Sequence, residues 1–164
     1  MKYAVVYSSQ TGNTKMLAEA IRDTLPEEEC VYFGGPDPKA LSAEKIYVGF
    51  WTDKGTCDAE TADFLTKLTG QKIFLFGTAG FGVSQEYFDK VLERTEKNIS
   101  KGVTVTGRFM CQGKMPMSVR KRYVKMQNSA AKVPNIQGMI ENFDKALSHP
   151  DEADLEALRK AVQQ

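Results

Sequence analysis

The sequence predicts an α/β protein built on a doubly wound, mostly parallel sheet with helices on both faces. Three observations lead there: five short runs rich in β-branched and aromatic residues, segments of helical apolar spacing between most of them, and Gly or Pro at the changeovers. Strands that alternate with helices pair in parallel through right-handed crossovers, which carry the helices onto the two faces of the sheet. The 164 residues suffice for one core. We read 1–164 as a single domain, with the sheet core in 1–110 and a variable segment with extra helices in 111–164.

Lys2 to Ser8 (KYAVVYS) is the first strand, of the continuous apolar kind that is buried on both faces. Met16, Leu17, Ala20, Ile21 and Leu25 then recur at helical spacing from Asn13 until Pro26. Cys30 to Phe33 is a short second strand ended by Gly34-Gly35-Pro36, and Asp37 to Ser42 has room only for a short helix or turn. Lys45 to Trp51 is the third strand, Asp58 to Leu68 a helix, and Lys72 to Gly77 the fourth strand. Ser84 can cap a long helix that runs through Ile99 to Gly102, and Val103 to Met110 is a fifth strand of weaker pattern. Cys111 to Pro134 looks irregular, whereas Asn135 to Leu147 and Asp151 to Val162 are amphipathic helices, one expected at the sheet and the other at the surface.

Composition excludes several classes of function. No apolar run approaches the roughly 20 residues needed to cross a bilayer, and no signal-peptide core precedes the first strand, so we expect a cytoplasmic protein. Cys30, Cys57 and Cys111 are odd in number, far apart and without a CxxC pair, which supports neither a disulfide framework nor a zinc site. His149 is the only histidine, leaving metal and Ser/Cys-His chemistry poorly supplied. The net charge of +1 hides an asymmetry: nine basic and no acidic residues lie between Lys97 and Ile140, leaving 13 basic against 21 acidic, a net −8, in the remainder.

Ligands of doubly wound sheets sit beyond the carboxyl ends of the strands, so the loops after the first, third and fourth strands are the candidates. Ser8-Ser9-Gln10-Thr11-Gly12-Asn13-Thr14 combines hydroxyls, a glycine and the unpaired amides of a helix start, the ingredients of a phosphate cradle. It lacks the GxxxxGK[ST] of a nucleotide P-loop. The alternative is an ordinary polar loop with a capping residue. Trp51 offers a broad π-face, or is simply a core aromatic at a strand end. Gly77 to Gly82 is spaced GxxGxG and is not the GxGxxG dinucleotide fingerprint.

The S-x-T-G-N-T of Ser9 to Thr14, placed after an N-terminal strand, resembles the phosphate loop of flavodoxins, and the resemblance extends over about Lys2 to Met110. It implies a flavodoxin-like sheet in the order 2-1-3-4-5 with FMN at the switch point. By that resemblance Ser9, Gln10, Thr11, Gly12, Asn13 and Thr14 hold the phosphate end. Trp51, Thr52, Asp53, Lys54 and Gly55 contact one side of the flavin, with Gly55 offering a carbonyl to the reduced ring, and Thr78, Ala79, Gly80, Phe81 and Gly82 cover the other. The sequence departs from the family at Val83-Ser84, where an acidic residue commonly follows the last glycine.

Cys111 to Met126 (CQGKMPMSVRKRYVKM) is basic and rich in methionine. It reads either as a solvated basic helix with Met filling a core, or as a surface on which Lys114, Met115, Met117, Arg120 and Arg122 meet an acidic partner or a carboxylate-bearing substrate. It is also similar to small flavodoxins encoded beside bilirubin reductases, whose substrate carries two propionates. Nucleic acid is disfavoured because overall charge is nearly neutral and no recognised module is present. Two functions follow: an FMN electron carrier serving a reductase and an acceptor enzyme, or an FMN-dependent reductase acting directly on a quinone or tetrapyrrole. The missing nicotinamide signature favours the carrier.

Overall fold

The computed structural model describes residues 1–82, 84–129 and 133–164; Val83 of the Val83-Ser84 departure and the basic Lys132 lie outside them. Its sheet is built around Tyr3–Tyr7 (β1), whose first four residues are all buried, as the unbroken apolar run demands of a strand covered on both sides. Asn13–Thr24 (α1) leads over to Cys30–Gly34 (β2), and the 3₁₀ turn Pro38–Ser42, capped by the Asp37 side chain, leads to Lys45–Asp53 (β3). Next come Thr56–Cys57 (β4), Ala59–Leu65 (α2), Lys72–Ala79 (β5), Gln85–Glu96 (α3) and Thr104–Gln112 (β6).

Five strands run parallel in the order β2-β1-β3-β5-β6, the predicted 2-1-3-4-5 once the extra strand is numbered. That extra strand, β4, forms an antiparallel hairpin with the end of β3, where the sequence suggested only a loop. Lys54 (φ 53°) and Gly55 (φ 85°) both adopt the left-handed backbone of a two-residue hairpin turn that matches strand twist. The signal was weak because only Gly55 is a residue typical of such turns.

Alternate strand residues serve opposite faces. Val6, Ile46, Val48, Phe50 and Leu75 pack with Phe64, Leu65, Val91 and Leu92 of α2 and α3, while Val5, Tyr47, Phe74 and Phe76 pack with Leu17 and Ile21 of α1. Near the carboxyl ends the register brings Gly49 opposite Phe76 and Phe50 opposite Gly77. Each ring lies across its neighbour's glycine, so a Cβ at Gly49 would collide with the Phe76 ring and one at Gly77 with the Phe50 ring. Two aromatic rings thus brace opposite faces of the sheet immediately below its loop-bearing edge.

The segment read as irregular contains a helix, Met117–Gln127 (α4). Four cations and few apolar positions mask its periodicity; it becomes helical against Ile136–Ala146 (α5), where Tyr123, Ile140 and Phe143 form a small cluster of their own. The last helix, Glu152–Val162 (α6), goes to the sheet: Leu158 and Val162 complete the core beside α1, and Asp151 with Asp154 forms a reciprocal cap at its start. The Lys114 amide donates to the His149 carbonyl at 3.0 Å, so the chain from 115 to 148 leaves the fold and returns at one point.

Candidate functional site

A groove opens at the carboxyl ends of β1, β3 and β5, beside the start of α1. Of the residues expected in the first loop, Ser9, Gln10, Thr11, Asn13 and Thr14 line it. Gly12 caps α1 with φ 91°, a conformation that suits glycine, and a Cβ there would meet nothing within 4 Å. The Ser9 hydroxyl accepts from the Gly12 amide at 3.1 Å and folds the loop over the helix start. The amides of Thr11, Asn13 and Thr14 have no acceptor among the described residues, which leaves donors at the positive end of the helix.

Two side chains of this loop are tied down. Thr14 is buried, and its hydroxyl shares bonds with the Phe50 carbonyl (3.1 Å) and the Thr78 hydroxyl (3.2 Å), locking the start of α1 to the ends of β3 and β5. Asn13 is also buried; its Nδ2 donates to the Lys114 carbonyl at 2.8 Å, and that bond orients the amide and leaves Oδ1 buried without a partner.

From the second loop the groove takes Trp51 and Thr52. The Trp51 amide donates to the buried Asp58 carboxylate (3.3 Å), which also caps α2, and Thr52 donates to the Thr78 carbonyl (2.8 Å). Asp53 and Lys54 are exposed in the hairpin and do not line the groove. The Gly55 carbonyl accepts from Arg94 at 3.1 Å and so points to α3. From the third loop Thr78, Ala79 and Gly80 line the groove; Phe81 and Gly82 are half-buried outside its lining, Gly82 against the Gln112 side chain.

Lys114, Met115 and Pro116 reach the groove from the basic segment, together with Gly113, which the sequence reading did not single out. Its signal was positional: it follows the carboxyl end of β6, the remaining parallel strand. Met115 lies against Gly80, where a Cβ would displace its sulfur. The Gly113 amide donates to Ala79 (2.9 Å), and the Thr11 hydroxyl donates to the Lys114 carbonyl (3.4 Å). Behind them Gln112 and Asn142 both donate to the Gly80 carbonyl, at 2.9 and 3.0 Å. Met117 and Arg122 stand on the exposed face of α4, and Arg120 pairs with Asp144 of α5 at 2.7 Å.

No cysteine or histidine lines the groove among the described residues. Burial raises the pKa of the Cys57 and Cys111 thiols, which keeps both protonated. His149, Asp151 and Asp154 do not line the groove and are bonded to one another at the start of α6: His149 Nδ1 lies 2.7 Å from Asp154 and 3.7 Å from Asp151. The groove therefore offers a ligand amides, hydroxyls and the aromatic side chain of Trp51, and among the described residues no thiol or imidazole lines it.

A family model described as a flavodoxin domain matches residues 4–163. The chain belongs to the flavodoxin family. Two relatives, both named flavodoxin-like domain-containing protein BilS, come from Clostridium symbiosum and Clostridioides difficile. The first is 40% identical, covering 97% of this chain and 93% of the relative; the second is 33% identical, covering 94% and 90%. Among solved structures, a short-chain flavodoxin associated with a bacterial microcompartment superposes with a TM-score of 0.61 at 20% identity, covering 99% of this chain and 95% of that one. The two-electron reduced flavodoxin of Megasphaera elsdenii superposes with a TM-score of 0.52 at 25% identity, covering 88% and 99%. As a flavodoxin domain the chain carries a flavin, and the family match extends through α4, α5 and α6, well past Met110 where the resemblance in the sequence faded. No helix among the described residues is long and apolar enough to cross a membrane.

Proposed function

We propose that this protein binds one FMN non-covalently in the groove and carries electrons between a reductase and an acceptor enzyme. The observation that carries the reading is the entrance to α1: three amides without acceptors beside a buried Asn13 whose Oδ1 lacks a donor. Orphaned buried polar groups are costly. A phosphate ester accepts from the amides, and the hydroxylated chain of the same ligand offers a donor to Oδ1, so the residues present fit FMN. Gly12 leaves the approach to the helix end open.

Bound FMN supplies the one- and two-electron chemistry. The chain's own groups anchor and orient: Ser9 and Gly12 shape the anion cradle, Trp51 lines the groove, and the Thr14–Thr78 bond holds the two loops at fixed spacing. No side chain is asked to act as acid or base, which suits a carrier.

The deciding experiment is titration of the apoprotein with FMN and with riboflavin, followed by flavin fluorescence. FMN binding in a 1:1 complex with riboflavin at least about tenfold weaker, roughly 1.4 kcal/mol for the phosphate, is the expected result. Equal affinity for the two, or no uptake of either, refutes the reading. The holoprotein should oxidise NADH only when a separate reductase is added; steady NADH oxidation by the protein alone with a quinone present refutes the carrier assignment.

A further inference from the structure

The FMN-carrier reading leaves the excursion from 115 to 148 without a task. We propose that its outer face is the docking surface for an acidic electron-transfer protein, an inference that rests on that reading and names the partner's chemistry.

Position comes first. The excursion is bound to the rim of the groove by the Lys114–His149 backbone bond, by the Lys114 carbonyl held by Asn13 and Thr11, and by Asn142, which shares the Gly80 carbonyl with Gln112. A protein seated on α4 therefore lies beside the groove, at a distance set by this neck.

Charge comes second. Some cations on other helices lie beside carboxylates, Lys90 with Glu86 (3.5 Å) and Arg159 with Glu152 (2.8 Å), while Lys15, Lys145 and Lys160 have none among the described residues; α4 differs in holding four cations and no acidic residue of its own. On α4, Lys121, Arg122 and Lys125 are exposed and none has a carboxylate partner among the described residues, while Arg120 is occupied in joining α4 to α5. Unpaired like charges on one short helix destabilise it. A carboxylate-bearing face removes that repulsion and is steered to it.

The third observation is apolar. Met117 is 54% exposed and lines a shallow surface depression with Arg120, Lys121 and Val124. An adaptable apolar residue within a charged rim is the usual make-up of a protein interface. A nucleic acid fits less well, because a polyanion longer than the patch runs onto a remainder with a net charge of −8.

The test uses the full chain loaded with FMN, reduced without oxygen and mixed by stopped flow with one of two ferric probes, acidic cytochrome b5 or basic cytochrome c. Each fully reduced, anionic flavin gives two electrons to two Fe(III) haems, turning them into Fe(II), and releases one proton to solvent. With cytochrome b5 the second-order rate should fall about tenfold between about 20 and 500 mM salt. A variant carrying Lys121→Glu, Arg122→Glu and Lys125→Glu should lose a similar factor at low salt and gain rate with cytochrome c, at unchanged FMN affinity. The Lys121→Gln, Arg122→Gln, Lys125→Gln variant should fall between, which guards against an unfolded α4. Unchanged rates in both variants with FMN bound overturn the docking surface and leave the carrier intact. Tighter binding of the wild type to anionic phospholipid vesicles or duplex DNA than to cytochrome b5 also overturns it. Failure to take up FMN, seen before any mixing, removes both readings.

Discussion

The groove has two walls of different construction. The loops after β1, β3 and β5 stand on strands that are hydrogen-bonded on both sides, and Thr14, Thr52 and Thr78 cross-tie them. Gly113 to Pro116 and the helical hairpin behind them stand on a neck of a few polar bonds and a cluster centred on Tyr123, Ile140 and Phe143. The first wall inherits its geometry from the core; the second packs around a separate small cluster of its own. Such division is expected where an anchoring task must be rigid and a partner-facing task adaptable.

Two fully buried phenylalanines test this division most directly. Phe76→Ala should cost about 3–5 kcal/mol of global stability, because the ring fills the sheet face and covers Gly49. Phe143→Ala removes an equally buried ring from the small cluster and should lower the global denaturation midpoint far less, while abolishing amide protection only in α4 and α5. If the two variants shift the midpoint equally, the hairpin is part of the main cooperative unit and the comparison fails.

Gly12→Ala comes next. It places a side chain at φ 91°, at roughly 1–2 kcal/mol for the left-handed backbone, with no clash to add. FMN affinity should fall about tenfold in a fluorescence titration, with the sheet's unfolding signal nearly intact. A smaller loss sharpens the second wall. Asn142→Ala should weaken FMN binding only a few-fold, about 0.5–1.5 kcal/mol for one hydrogen bond, because Gln112 still holds the Gly80 carbonyl. Removing both donors should cost more than the sum of the single changes, as a double-mutant cycle would register.

The smallest effect concerns pH. Arg120, bonded to Asp144, holds that carboxyl below the usual carboxylate range. A depressed folded-state pKa means the pair's contribution is full above the unfolded value near 3.9 and is lost as pH falls through the lower folded value. Methyl resonances of Ile136 and Ile140 should therefore begin to shift only below about pH 4, before those of Ile21 and Ile73 in the main core. Simultaneous shifts would argue that the exposed pair contributes nothing to the hairpin.

The chain is most legible where one period dominates. KYAVVYS and KIFLFG announced buried strands because both faces are apolar, and Ser9 to Thr14 announced an anion cradle because hydroxyls, glycine and a helix start coincide in six residues. The α4 helix was legible only as one of two readings of the basic segment, because its outward face is cationic and its inward residues find partners only on α5, distant in sequence. The β4 hairpin escaped because its turn depends on Lys54 accepting a positive φ, which local preference does not suggest.

The parallel sheet, the polar loop at the head of α1 and the segregation of charge were thus written into local pattern, since each depends on the identities of neighbouring residues, while the strand order was implied by the family resemblance. Tertiary contact alone decided that α6 and not α5 reaches the sheet, that Gly55 turns its carbonyl to Arg94, and that Met115 rather than Phe81 lies at the groove. These outcomes depend on which distant surfaces meet in space, and many arrangements of side chains satisfy the same periodicity.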